Sequence, residues 1–220
     1  MSMVSSFSPV DPNRIGHDNR VAAAEAEVSG RGAGGPAPKY IVVSYGFWIF
    51  LLSDIVMFST FFAAFQVLAG QSPEMAPRFD LNDVAIETGC LLVSSFLCGV
   101  AALCARRRNL MTTEFFLLLT GLFGAGFLLL ELKEFSSLVA QHMGPADGAY
   151  YSGFFALVGC HGLHVTVGLL WLGTMMAQIW AKGFRLDILR RLICFSLFWH
   201  ALDIVWVGIF SFVYLMRFAP

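Results

Sequence analysis

Charge is what this chain has least of. Only 13% of its 220 residues are Asp, Glu, Lys or Arg, against roughly 25% in an ordinary soluble domain. The shortage is concentrated in long runs: Tyr150 to Trp180 holds no charged residue at all. A surface of that kind excludes a conventional water-soluble domain. A net charge of −1 and the lack of any basic patch argue against nucleic acid as a partner. Paired cysteines are missing too. The five cysteines, Cys90, Cys98, Cys104, Cys160 and Cys194, all lie within apolar runs without a C-x-x-C, and they read as small core residues rather than disulfides or metal ligands. The runs also lack the alternation of barrel strands. Finally, Met1 to Lys39 lacks the apolar core of a secretory signal. That segment is polar and turn-rich, ends in GRGAGGPAPK, and is expected to be a flexible tail.

What is present is length and apolarity. Five stretches, at about residues 41–69, 85–105, 115–140, 150–180 and 192–216, reach or exceed the roughly 20 residues that cross a bilayer. The expected fold class is therefore all-α: a polytopic membrane protein, a bundle of five transmembrane helices over residues 40–220, preceded by a cytoplasmic tail over 1–39. Charge sets the orientation. Arg14, Arg20, Arg31 and Lys39, then Arg106, Arg107 and Arg108, then Lys182, Arg185, Arg190 and Arg191 fall on one side; Arg78 and Arg217 fall on the other. The positive-inside bias then places the N-terminus in the cytoplasm and the C-terminus outside.

Against this background the polar residues inside the runs stand out, because an ionisable group at that depth is costly and marks a functional candidate. They are Asp54 in the first run, Glu131 and Glu134 in the third, His161 and His164 in the fourth, and His200 and Asp203 in the fifth. At 1.5 Å per residue, Glu131 and Glu134 lie roughly 10–13 Å from the outer end of their helix, and the two histidines roughly 16–21 Å from theirs. Those depths overlap enough to expect shared hydrogen bonds among the third, fourth and fifth helices. The pairs spaced three apart each offer a polar stripe. Three readings stay open: a metal site of carboxylates and imidazoles, haem ligation, and a set of satisfied interhelical hydrogen bonds lining a lipid or water pocket, with a proton relay beside them. The di-metal bundle pattern wants Glu-x-x-His within one helix, which is absent. Gly121, Gly124 and Gly126 in the third run and Gly159, Gly162 and Gly168 in the fourth suit close helix approach.

Four segments carry a resemblance: GFWIFLLSDIVMF (46–58), GAGFLLLELKEF (124–135), GPADGAYYSGFFALVGCHGLHVTVGLLWL (144–172) and CFSLFWHALDIVWVGIFSFVYLM (194–216). Together they strongly resemble subunit III of the haem–copper oxidases. Five helices and the Gly-Pro loop look most like the ubiquinol oxidase branch, the cytochrome bo-type enzymes. The resemblance covers all five runs and leaves only the first forty residues unmatched.

The resemblance implies a subunit of a proton-pumping quinol:oxygen oxidoreductase of the bacterial inner membrane that holds no redox centre itself. Haem, copper and quinone are then expected in a partner catalytic subunit I, with subunits II and IV as further partners. Phospholipid is expected in a cleft of this chain. It matches Asp54 to the family's buried acid, Glu131 and Glu134 to its E-x-x-E pair, His161 and His164 to H-G-x-H, and His200 and Asp203 to W-H-x-x-D. Ala201 departs from the family's usual Phe and is expected to loosen packing there. Two alternatives remain: the same subunit of a cytochrome c oxidase, and an autonomous proton or ion transporter. The latter would want a repeat-related pair of broken helices, which the sequence does not offer.

Overall fold

The computed structural model describes residues 39–71, 81–183 and 185–214. The expected flexible tail over 1–39 lies outside the described residues, apart from Lys39, which opens the first helix. Five helices follow in chain order: α1 (Lys39–Gln71), α2 (Leu81–Arg106), α3 (Leu110–Ala140), α4 (Ala149–Lys182) and α5 (Leu186–Ile209). A π-helical turn, Phe210–Tyr214, continues α5. Among the described residues there is no strand. Each helix is long and apolar enough to cross a membrane, so the chain is a multi-pass membrane protein. A helix of 34 residues such as α4 extends about 50 Å, well beyond a hydrocarbon layer of about 30 Å, which calls for tilt.

The helices end where the sequence supplies a stop. Arg108, at φ 56°, turns the chain after the basic end of α2. His142, also at φ 56°, closes α3, and the backbone N–H groups of Gln141, His142 and Met143 return to its last carbonyls. In the loop that follows, Asp147 Oδ2 accepts from the Gly144 N–H at 2.7 Å, and Ser152 Oγ donates to the Pro145 carbonyl at 2.5 Å. Gly183 ends α4 at φ 66°, a conformation glycine adopts without cost, with its N–H on the Ile179 carbonyl at 2.9 Å.

Backbone packing falls into two units, 1–46 and 47–220. Within the second, α2 lies along α3, α4 along α5, and the pairs meet through α2–α5 and α3–α4. The centre of this group is aromatic and dry: Phe127, Phe154, Phe195, Trp199, Trp206 and Tyr214 are all buried. Residues 47–71 of α1 flank it through side chains rather than close backbone. Phe58, Phe65 and Phe62 reach His164, Tyr150 and Phe212, with ring centroids 5.3, 5.3 and 5.8 Å apart.

Candidate functional site

Close packing comes first, because it fixes where the polar groups can sit. Trp199 of α5 is wedged between α3 and α4. A Cβ built on Gly124 would stand 2.8 Å from the Trp199 ring, and one on Gly168 would stand 2.9 Å from it. Only glycine leaves room for the indole at both places. Gly159 and Gly162 make ordinary contacts at 3.8 Å, and Gly126 has no neighbour within 4 Å. Of Gly124, Gly126, Gly159 and Gly162, Gly124 alone sits where a Cβ would press on a neighbouring helix, and Gly126 has open space around it. The Trp199 indole donates to Ser94 Oγ at 3.0 Å, and Ser94 donates onward to the Thr120 carbonyl at 2.9 Å. One indole thereby ties α5 to α2 and α3. Trp206, two turns along, repeats the device on Thr88 Oγ1 at 3.1 Å.

The acids of α3 do not meet the histidines of α4. Glu131 and Glu134 instead lie within electrostatic reach of Glu87 of α2, with Tyr214 beside Glu134. Tyr214 lies within reach of all three carboxyls and of Tyr150. Glu87 and Glu131 are each only 1% exposed. Neither oxygen of Glu131 has a hydrogen-bond partner, nor does Glu87 Oε2. The physical reason is register. The element facing His161 from α3 is Phe127, at a ring distance of 5.8 Å, and Glu131 stands four residues, or about 6 Å, farther along. The acidic face of α3 turns toward α2, its most extensively paired neighbour.

His161 is wholly buried in a box of rings: Phe58, Phe127 and Trp206, at 6.3, 5.8 and 5.2 Å. Neither of its nitrogens has a hydrogen-bond partner. His164 turns the other way, since residues three apart on a helix diverge by about 60°. It lies against α1, beside Phe58 and within Coulombic reach of Asp54. Its Nδ1 is 2.8 Å from the Cys160 carbonyl; a carbonyl only accepts, so Nδ1 carries a proton. Asp54 borders a small void of about 10 Å³ that Ala201 also lines, close to the space of one water. The third set lies between α2 and α5. There Ser95 Oγ is 2.7 Å from His200 Nδ1, with Asp203 beside both and its Oδ1 without a partner.

Six of the seven expected site residues thus divide into three separate places, and His161 stands apart from them. His164 Nδ1 is taken by a carbonyl of its own helix, His200 Nδ1 by Ser95 Oγ, and His161 faces only rings. Among the described residues, no group of three or more His, Cys, Asp or Glu converges as a metal would require.

The family model described as cytochrome c oxidase subunit III matches residues 23–218. The chain belongs to that family. Individual relatives agree. Cytochrome bo(3) ubiquinol oxidase subunit 3 of Pseudomonas aeruginosa is 45% identical over 175 residues, covering 78% of this chain and 84% of the relative. Quinol oxidase subunit 3 of Bacillus subtilis is 42% identical over 176 residues, covering 78% and 85%. The cytochrome bo(3) ubiquinol oxidase subunit 3 of Buchnera aphidicola from Schizaphis graminum is 38% identical over 174 residues, 92% of its own length.

For a subunit III chain, the residues that sequence reasoning missed are the ones that close the polar sites: Glu87, Tyr214, Ser94, Ser95, Thr88 and Thr120. Glu87 was visible as an acid inside an apolar run. The hydroxyls were not, since Ser and Thr are common in transmembrane helices and only a facing indole or imidazole gives them a role.

Proposed function

We propose that this chain is the non-catalytic third subunit of a quinol oxidase, the complex that oxidises quinol and reduces oxygen to water in aerobic respiration. The observation that carries the reading is the 45% identity, across most of both chains, to a ubiquinol oxidase subunit 3. The family's own name speaks of cytochrome c, but the relatives described above are named for ubiquinol or quinol. In support of a structural role, His164 Nδ1 lies on the Cys160 carbonyl, His200 Nδ1 on Ser95 Oγ, and the Trp199 and Trp206 indoles on Ser94 and Thr88.

In this reading haem, copper and quinone reside in partner chains. Subunit I is the main contact and subunits II and IV complete the complex. The membrane is the bacterial inner membrane, with the N-terminus cytoplasmic and the C-terminus periplasmic, a reading that the bias of basic residues to one side supports. Phospholipid covers the apolar outer faces of the transmembrane domain. The chain's own contribution is mechanical and electrostatic. Trp199 and Trp206 lock α2 through α5 into one body, and Asp54, Glu131, Glu134, His161, His164, His200 and Asp203 form the polar contacts inside and at its edge. That body supports the catalytic subunit and sustains its turnover.

The test is purification of the chain in mild detergent, followed by an absorption spectrum and an oxygen-consumption assay with quinol and with reduced cytochrome c. Co-purification with a haem-bearing partner and quinol-dependent oxygen uptake are expected. Uptake with cytochrome c alone would move the chain to the other donor class, and haem bands from the chain by itself would end the non-catalytic reading.

A further inference from the structure

The Ser95–His200–Asp203 set differs from the Glu87–Glu131–Glu134 set in where it opens. It lines a groove of about 370 Å³ between α2 and α5 on the outside of the bundle, bounded by Leu92, Phe96, Gly99 and Leu103. His200 and Asp203 are only half-buried and line the groove; Asp203 Oδ1, which has no donor, is itself enclosed within the chain. Asp203 lies 15 residues into the span Ile188–Tyr214, about 22 Å from its start and 16 Å from its end. A carboxyl at that depth facing hydrocarbon is expensive, and such groups pair with one another or face protein. Phospholipid head groups stay at the membrane surfaces and do not reach it.

The walls say what does. Leu92, Phe96, Gly99 and Leu103 follow one another at intervals of four, three and four residues, the spacing of a helix-packing seam. Phe96 and Leu103 project outward, 72% and 61% exposed. Between them Gly99 meets only the His200 ring, at 3.9 Å, so a second backbone can come close there. We propose that this α2/α5 groove is the docking seam for a transmembrane helix of the oxidase's catalytic subunit. That helix carries an amide or basic side chain, Asn, Gln, Lys or Arg, which donates to Asp203. The proposal rests on the reading of the chain as an oxidase subunit and deepens it by naming the surface and the chemistry of the contact.

The experiment uses the intact complex. A photoreactive benzoylphenylalanine is placed at Phe96, which is exposed and leaves the chain's own packing alone, and separately at Leu52 on the outer face of α1. After illumination the adducts are mapped by mass spectrometry. The expected result is a crosslink from Phe96 to a helix of the catalytic subunit bearing one of those donors. In parallel, Asp203→Leu should lower the amount of chain retained with the oxidase at least tenfold, whereas Asp203→Asn, which keeps an acceptor, should retain it. Adducts at Phe96 with lipid or quinone only, or none at all while Leu52 crosslinks to the catalytic subunit, overturn the proposal. So does equal retention of the Leu and Asn variants. If the unaltered chain does not co-purify with an oxidase, the functional reading itself has failed.

Discussion

Glu87 and Ser95 lie on the same helix, as do Tyr214 and His200 on the continuous α5 and its π-turn, yet these two pairs of polar residues are finished differently. Glu87 and Tyr214 point inward, to Glu131 and Glu134, and their own chain closes over them. Ser95 and His200 stand beside Asp203 in a groove that opens outward. Eight residues on a helix amount to about 80° of rotation, enough to send one polar group into the core and the other to the edge. A polar residue in a membrane helix is therefore not one kind of thing. The inner set belongs to the subunit's own architecture, and the outer set is completed by something else.

The largest effects should come from the packing that holds the inner set in place. Gly168→Leu or Gly124→Leu drives a side chain into Trp199 and should cost the isolated chain about 3 kcal/mol or more, read as a fall in thermal unfolding temperature in detergent. Gly126→Ala, where no atom lies within 4 Å, should change it by less than about 0.5 kcal/mol. If the three variants behaved alike, the wedge of Trp199 would not be what fixes the helices.

Ser94→Ala comes next. It strips the buried Trp199 N–H of its acceptor and frees the Thr120 carbonyl, for a loss of about 2 kcal/mol, visible in the same melt. Glu131→Leu sharpens the contrast from the other side. A buried carboxyl without a partner is costly to keep, so its replacement by an apolar residue should leave the isolated chain unchanged or raise its stability by about 1 kcal/mol. A loss of several kcal/mol would mean that Glu131 is already satisfied. The smallest effect on the isolated chain should be that of Asp203→Leu, below about 0.5 kcal/mol, because its cost falls on assembly.

The five membrane helices could be read directly from the sequence, since a run of twenty or more apolar residues has few other fates. The candidacy of Asp54, Glu131, His161, His200 and Asp203 could be read from depth alone. Their partners could not. Pairing of Glu131 with the histidines followed from overlapping depth, but that overlap was coarser than one turn, and the one-turn offset between Phe127 and Glu131 decided the matter. His161 and His164 share a spacing that suggested one stripe, and the 60° between them sends His161 in among Phe58, Phe127 and Trp206 and His164 toward Asp54. Glycine positions gave the same lesson: Gly124 and Gly126 are two apart, and only one of them faces Trp199.

The central claim is that this chain supports an oxidase whose redox chemistry resides in other subunits. Its most direct test is to purify the oxidase with and without this chain and follow quinol-driven oxygen consumption through many turnovers. The account predicts haem content and an initial rate close to normal without the chain, but a catalytic lifetime shortened severalfold. Loss of haem and of the first turnovers together, or a lifetime unchanged by its removal, would contradict it.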